Sequence, residues 1–306
     1  MAEASLGARL SDTLWRRPNV MLLLLVLPPV LWLGIVYLGA LFALLAQSFF
    51  SIDEFSGLIR YEFTLKTYGE LFRASNFDIL VRTLLMASAV TIAAAIVAFP
   101  IAYYAARYAT GRWKAVFYLG VMLPLWSSYL VKVYSWKLIL AQEGILNWLF
   151  ETLHLSWVLE AYLAIPVIGG NSLSVSWTGT FLVFLYVWLP FMILPVQAAL
   201  ERVPPSMLEA SGDLGAQPSQ TLRHVIIPLA LPGIIAGSIF TFSLTMGDYI
   251  IPQIVGTSAR MIGQAVYQFQ GTAGNIPLAA AFAVVPIVVM GVYLTLAKRA
   301  GAFDAL

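Results

Sequence analysis

Catalysis needs a nucleophile beside a base, a cluster of metal ligands or a cradle for phosphate, and this chain holds almost none of these. Histidine occurs only at His154 and His224, and cysteine is absent, which removes disulfides, thiol nucleophiles and thiolate metal sites. No H-x-x-x-H pair, G-x-S-x-G elbow or G-x-x-x-x-G-K-[ST] phosphate loop occurs. His224 reads as part of a solvated helix face and His154 as an interfacial residue. Two polar constellations remain. The first is Glu209-Ala210-Ser211, then Gly215, then Val225-x-Ile227-Pro228, set between strongly apolar stretches. Its helix formers are interrupted at Gly215 and start again at Pro218, whose missing N–H costs nothing in a first turn. A helix–Gly–helix element of this kind is a shape that another protein can grip. The second is Asp248-Tyr249, inside the run 242–252. A carboxylate at membrane depth must face water, a partner or a cargo, and Gly247 permits a backbone break just before it. Tyr249 offers an aromatic face to an amine. Asp248 is either a cargo contact or a residue that caps or bends a helix end.

The elements that hold these residues are membrane spans. Of 306 residues, 60% are hydrophobic and 10% charged, against roughly 25% charged in soluble domains. The formal charge of +2, with no isolated basic block, gives no reason to expect nucleic acid. Six apolar stretches are long enough to cross a bilayer, near 20–46, 83–106, 115–131, 178–200, 229–251 and 276–297. The third is followed closely by Lys132 and Lys137 and runs further if those side chains reach the interface. The first exceeds the roughly 7–15 residues of a signal-peptide core and has no A-x-A-like site after it, so it reads as a retained helix. The expected fold is an all-α integral membrane protein: an N-terminal segment 1–19, one transmembrane domain 20–297 and a tail 298–306.

Basic residues set the orientation. With the N-terminus inside, ten lie on the inner side (Arg9, Arg16, Arg17, Arg107, Arg112, Lys114, Arg202, Arg223, Lys298 and Arg299) and seven outside. Both termini and the connector 201–228 are therefore expected in the cytoplasm. The outer connectors are long. Residues 47–82, with Asp53, Glu54, Glu62, Glu70 and Asp78, read as a folded loop, and 145–155 as a short amphipathic interfacial helix before a turn at Ile168-Gly-Gly-Asn-Ser. These loops either receive a donor protein or cap the bundle.

The spacing in 209–228 resembles the EAA motif of permease subunits of ATP-driven (ABC) importers: Glu-Ala-Ala, three residues, Gly, nine residues, Ile-x-Leu-Pro. Ser211 stands for the second Ala, and Val225 and Ile227 for Ile and Leu. The stretch Gly247-Asp248-Tyr249-x-x-Pro252, with Tyr186-Val-Trp-Leu-Pro190 and Leu200-Glu-Arg-Val-Pro204, resembles the spermidine/putrescine-type permeases. That resemblance implies a type I permease fold and a two-permease pore in the inner membrane of a prokaryote. It also implies two ATPase subunits inside, which hold the ATP and Mg, and a cargo-binding protein outside. The positions matching the coupling motif are Glu209, Ala210, Ser211, Gly215, Val225, Ile227 and Pro228. The implied cargo is a polyamine, with another small amine, an amino-acid-like solute or a metal ion as alternatives.

Two other classes fit less well. A secondary transporter needs ionisable groups inside its spans, and the assigned spans contain only Asp248 as a clear acidic residue. A membrane enzyme needs a polar catalytic cluster at membrane depth, for which nothing beyond Asp248 is available. Co-purification with an ATPase separates the permease from both.

Overall fold

A computed structural model describes residues 15, 17–53, 55–166 and 168–299. Arg9, Arg16, Glu54 and the tail beyond Arg299 lie outside the described residues. Most of the described residues are helical. Helix α1 (Asn19–Gln47) is followed by a small hairpin, β1 (Ser51–Ile52) and β2 (Ile59–Arg60), then α2 (Lys66–Leu71) and α3 (Ala74–Arg107). Next come α4 (Gly111–Trp126), α5 (Tyr129–Ile139), α6 (Ile145–Thr152), α7 (Ser156–Leu163) and α8 (Trp177–Glu201). The series closes with α9 (Pro205–Asp213), α10 (Pro218–Gly247), α11 (Ile250–Ile254), α12 (Ile262–Gln270) and α13 (Ile276–Arg299).

Among the described residues five helices, α1, α3, α8, α10 and α13, are long and apolar enough to cross a membrane. The third span of the sequence reading is a bent pair, because α4 and α5 are bent by 96° from one another. The segment expected at 115–131 therefore ends at Trp126. Pro124 removes one helical hydrogen bond, Ser127 is extended, and Lys132 Nζ donates back to the Pro124 carbonyl at 2.7 Å. The fifth span, expected to reach Ile251, stops at Gly247. The second starts at Ala74 rather than at residue 83, so the outer connector is shorter than 47–82. The expected loop 201–228 is also shorter: Glu201 ends α8, and everything from Pro218 onward belongs to α10.

The core is the packing of α3, α8 and α10 against one another. Small residues make it dense. Ala94, Ala98 and Ala102 of α3 lie buried with Met192, Val196 and Leu200 of α8 and Ala230 of α10. On α10, Gly233 and Gly237 face α8 so closely that an added Cβ would come within 2.5 Å of Ala199 Cβ and 2.7 Å of Met192 Sδ. This is the small-xxx-small packing by which membrane helices approach through their backbones. Hydroxyls in the core bond to the carbonyl one turn earlier, as Thr91 to Ala87 (2.7 Å) and Thr241 to Gly237 (3.0 Å), which satisfies them without water. Helix α1 is exposed along its apolar length and meets the rest of the chain through its last two turns, which pack on α13.

The hairpin replaces part of the expected outer loop. Asp53 accepts from the N–H groups of Ser56 (3.0 Å) and Phe55 (2.9 Å) and pairs with Arg60, which holds its carboxyl at about 2. The amphipathic stretch 145–155 becomes α6 and a turn in which His154 takes a left-handed backbone (φ 56°), with α7 starting just beyond it at Ser156.

Candidate functional site

Most of the EAA-like residues are exposed, in and around the connection between α8 and α10. Pro204 and Pro205 start α9, and its C-terminus closes on Gly215 (φ +77°). The N–H of Gly215 donates to the Gly212 carbonyl at 2.8 Å, and that of Ala216 to the Ser211 carbonyl at 3.1 Å. This pair of bonds is the Schellman ending, in which a residue at positive φ ties off two carbonyls. Gln217 and Gln220 then form a capping box that starts α10 at Pro218. The two arms are joined by a bond between the hydroxyls of Ser211 and Thr221 at 2.9 Å. Glu209, Ala210, Gly212, Asp213, Leu214 and Gly215 are exposed, with the carboxylates of Glu209 and Asp213 four residues apart on α9. An added Cβ at Gly212 or Gly215 would meet nothing within 4 Å.

Val225, Ile227 and Pro228 lie in α10, not in a loop. Pro228 has no N–H to return to the His224 carbonyl, and its ring crowds that carbonyl. The backbone widens to π-helical geometry over Leu222–Ile226, directly before it. Val225 is half-buried, Ile227 and Pro228 are exposed, and Ile226 between them is buried in the core. His224 is exposed and bonds to the Gln220 carbonyl at 3.0 Å.

Residues not singled out in the sequence tie this surface to the bundle. Arg107, at the end of α3, donates to the Val203 carbonyl at 2.9 Å. Glu201, the last residue of α8, pairs with Lys114 at 2.9 Å and accepts from Tyr118 at 3.0 Å, both on α4. A run of basic residues after α3 and an acid closing α8 was the available signal.

Asp248 and Tyr249 lie at the other end of α10, about 45 Å from Pro218 by helical rise over 30 residues. Asp248 caps the restart of the chain. Its Oδ1 accepts from the N–H groups of Ile250 (2.7 Å) and Ile251 (3.1 Å), and its Oδ2 accepts from Tyr129 at the start of α5. The helix-end role considered in the sequence reading is therefore present. The same residue also lines a hollow of about 390 Å³ with Tyr129, Trp188 and Tyr249. Tyr129 had no spacing signal, because the bend between α4 and α5 brings it there, and Trp188 stands in the Tyr186–Pro190 stretch, which did not point to Asp248.

The chain matches the family model described as the binding-protein-dependent transport system inner membrane component over residues 98–301. It is 56% identical over 298 residues to the inner membrane ABC transporter permease protein YdcU of Escherichia coli strain K12, covering 97% of this chain and 95% of that one. It is 29% identical over 262 residues to the spermidine/putrescine transport system permease protein PotB of the same strain, covering 84% and 89%. A chain of the bacterial alginate ABC transporter, solved in complex with an alginate pentasaccharide-bound periplasmic protein, superposes with a TM-score of 0.72 at 15% identity, covering 96% and 97%. That last likeness bears on fold alone, and it gives the type I importer-permease architecture that the sequence led us to expect. With about two thirds of its length inside the family model and more than half of its residues shared with YdcU, this chain belongs to the binding-protein-dependent transport system inner membrane components, as a multi-pass permease subunit of an ABC importer and not an enzyme.

Proposed function

We propose that this permease forms half of a pore that imports a polyamine. Its partners are a second permease, two copies of an ABC ATPase that hold ATP and Mg inside the cell, and a cargo-binding protein outside. The likeness to PotB supports the cargo class. The name of YdcU specifies no cargo.

The observation that carries the mechanism is the projecting helix–Gly–helix of 205–221, continuous with the membrane helix α10. In this reading both termini and α9 face the cytoplasm, where the ATPase pair can reach them. Glu209 supplies a charge to a basic cleft, Ala210 and Ser211 permit close approach, and Gly215 sets the angle between the arms. Val225, Ile227 and Pro228 join the grip to α10. Closure of the ATPase pair then moves α9, and α10 transmits the displacement to Asp248 and Tyr249 in the path, a rigid-body transition driven by different contacts in two states.

The test is charge reversal at an exposed position. Glu209→Arg alters no span and should leave insertion intact, while ATPase recovery from detergent extracts and polyamine uptake both fall. Normal recovery with normal uptake would make α9 a passive connector.

A further inference from the structure

Two breaks in two different membrane helices meet at one hydrogen bond. The chain bends by 96° at Ser127-Ser128, and α10 stops at Gly247 before resuming at Ile250. Tyr129, the first residue of α5, donates its hydroxyl to Asp248. Discontinuous helices meeting at membrane depth are where transporters build contacts for small solutes.

The chemistry of the junction is one-sided. A carboxylate offers about four lone-pair positions, and three donors reach Asp248, from Tyr129, Ile250 and Ile251. About one position is left, and no Lys, Arg or His pairs with this charge among the described residues. Lys132, one turn along α5, sends its ammonium back to the Pro124 carbonyl. The hollow of about 390 Å³ beside Asp248 has no basic residue in its wall. Aromatic rings flank the carboxylate instead. Tyr129 stacks on Trp188 with centroids 5.9 Å apart, and Tyr249 stacks on Tyr267 at 5.0 Å. Tyr249 and Gly247 also line a second hollow of about 310 Å³, which continues toward Tyr267 and Gln270.

We infer that Asp248, Tyr129, Trp188 and Tyr249 form a contact for one ammonium group of an organic cation. This rests on the importer reading above and assigns a charge class to its path. An ammonium N–H takes the open carboxylate position, and its alkyl groups lie against the rings, where the ring quadrupole also favours the cation. Tyr129 contributes a ring and holds the carboxylate toward the hollow. Anions meet a half-buried negative charge there, and neutral solutes gain nothing from it.

The absence of cysteine makes the site testable without knowing the cargo. Ser243→Cys puts a single thiol of this chain on the wall of the hollow. The assembled importer, with partner cysteines removed and held in nanodiscs, is labelled with a cationic methanethiosulfonate (ethyltrimethylammonium) or an anionic one (ethylsulfonate). Relative to free cysteine, the cationic reagent should be favoured by about tenfold or more. Asp248→Asn keeps the Oδ1 acceptor for Ile250 and Ile251, and so the helix restart, but should abolish that preference. Millimolar methylammonium should slow labelling when Asp248 is present and not in Asp248→Asn. Tyr129→Phe, which keeps ring and charge, should weaken that protection several-fold with little change in reagent preference. An identical rate ratio with and without Asp248→Asn overturns the inference, as does a thiol that neither reagent reaches, since a cargo contact must be accessible from water. Protection by methylammonium but not by putrescine keeps the site and removes the polyamine cargo.

Discussion

Gly215 separates the two ways in which the projecting element can work. Its φ of +77° lies in the left-handed region, and the Schellman pair at Gly215 and Ala216 fixes the angle between α9 and α10. A side chain there meets nothing within 4 Å in the chain itself. The cost of substitution is therefore conformational, about 1–2 kcal/mol for alanine and up to about 3 kcal/mol for a β-branched residue. Asparagine tolerates this region and costs least. If the left-handed turn is required for docking, about 1–3 kcal/mol lowers the docking-competent population about 5- to 150-fold. Uptake and ATPase recovery should then fall in the order Gly215→Asn, Gly215→Ala, Gly215→Val, with asparagine near wild type. Equal damage by asparagine and valine would mean that bulk at the partner surface, not backbone angle, is what matters. Wild-type behaviour of all three would refute the coupling role.

Topology is open to a single-thiol test. Ser219→Cys, exposed in the first turn of α10, should resist impermeant maleimides in intact cells and react after permeabilisation; labelling in intact cells would reverse the orientation. The α8–α10 contact should be intolerant of volume: Gly237→Ala sets a Cβ 3.0 Å from Met192 Cα and should cost about 1–3 kcal/mol of stability, with Gly237→Leu worse. Thermal aggregation in detergent reads the order, and an unchanged midpoint for the leucine variant would show that the two helices separate freely.

The apolar lengths of α8 and α13 were legible because hydropathy alone sets a span. The ends of the third and fifth spans were not. At Ser127-Ser128 and Gly247-Asp248 the chain leaves the helix in polar or flexible pairs that a hydropathy window averages into the apolar run. The coupling element was read through Glu209, Gly215 and Pro218, since a positive-φ glycine and a proline start are local chemistry. Its continuity with α10 was missed because Pro228 looks like a stop, and a widened turn before it absorbs the ring. Tyr129 was invisible for a different reason: its proximity to Asp248 depends on the bend between α4 and α5. The close contact at Gly233 and Gly237 did have a signal, a G-x-x-x-G spacing inside an apolar run.

Helix α10 links the two ends of the proposed machine, and its contacts decide what a push can do. Its firmest backbone contact is at Gly233–Gly237, against Met192, Pro195 and Ala199 of α8. From the middle of that contact to Pro218 is about 26 Å of helical rise, and to Gly247 about 18 Å. A tilt about this point that carries Pro218 by about 3 Å carries Gly247 by about 2 Å in the opposite direction. Glycine suits such a pivot, because backbone against side chain leaves little interdigitation to undo. The π-helical turn at Leu222–Ile226 and the break at Asp248 lie at the two ends of the lever, where bending costs least. Inward closure of the coupling end would then draw Asp248 against the Tyr129 side of the hollow or away from it. The carboxylate would be offered to cargo in one state and covered in the other, so a single rigid helix could link a distant ATPase to a cation contact without any residue moving far.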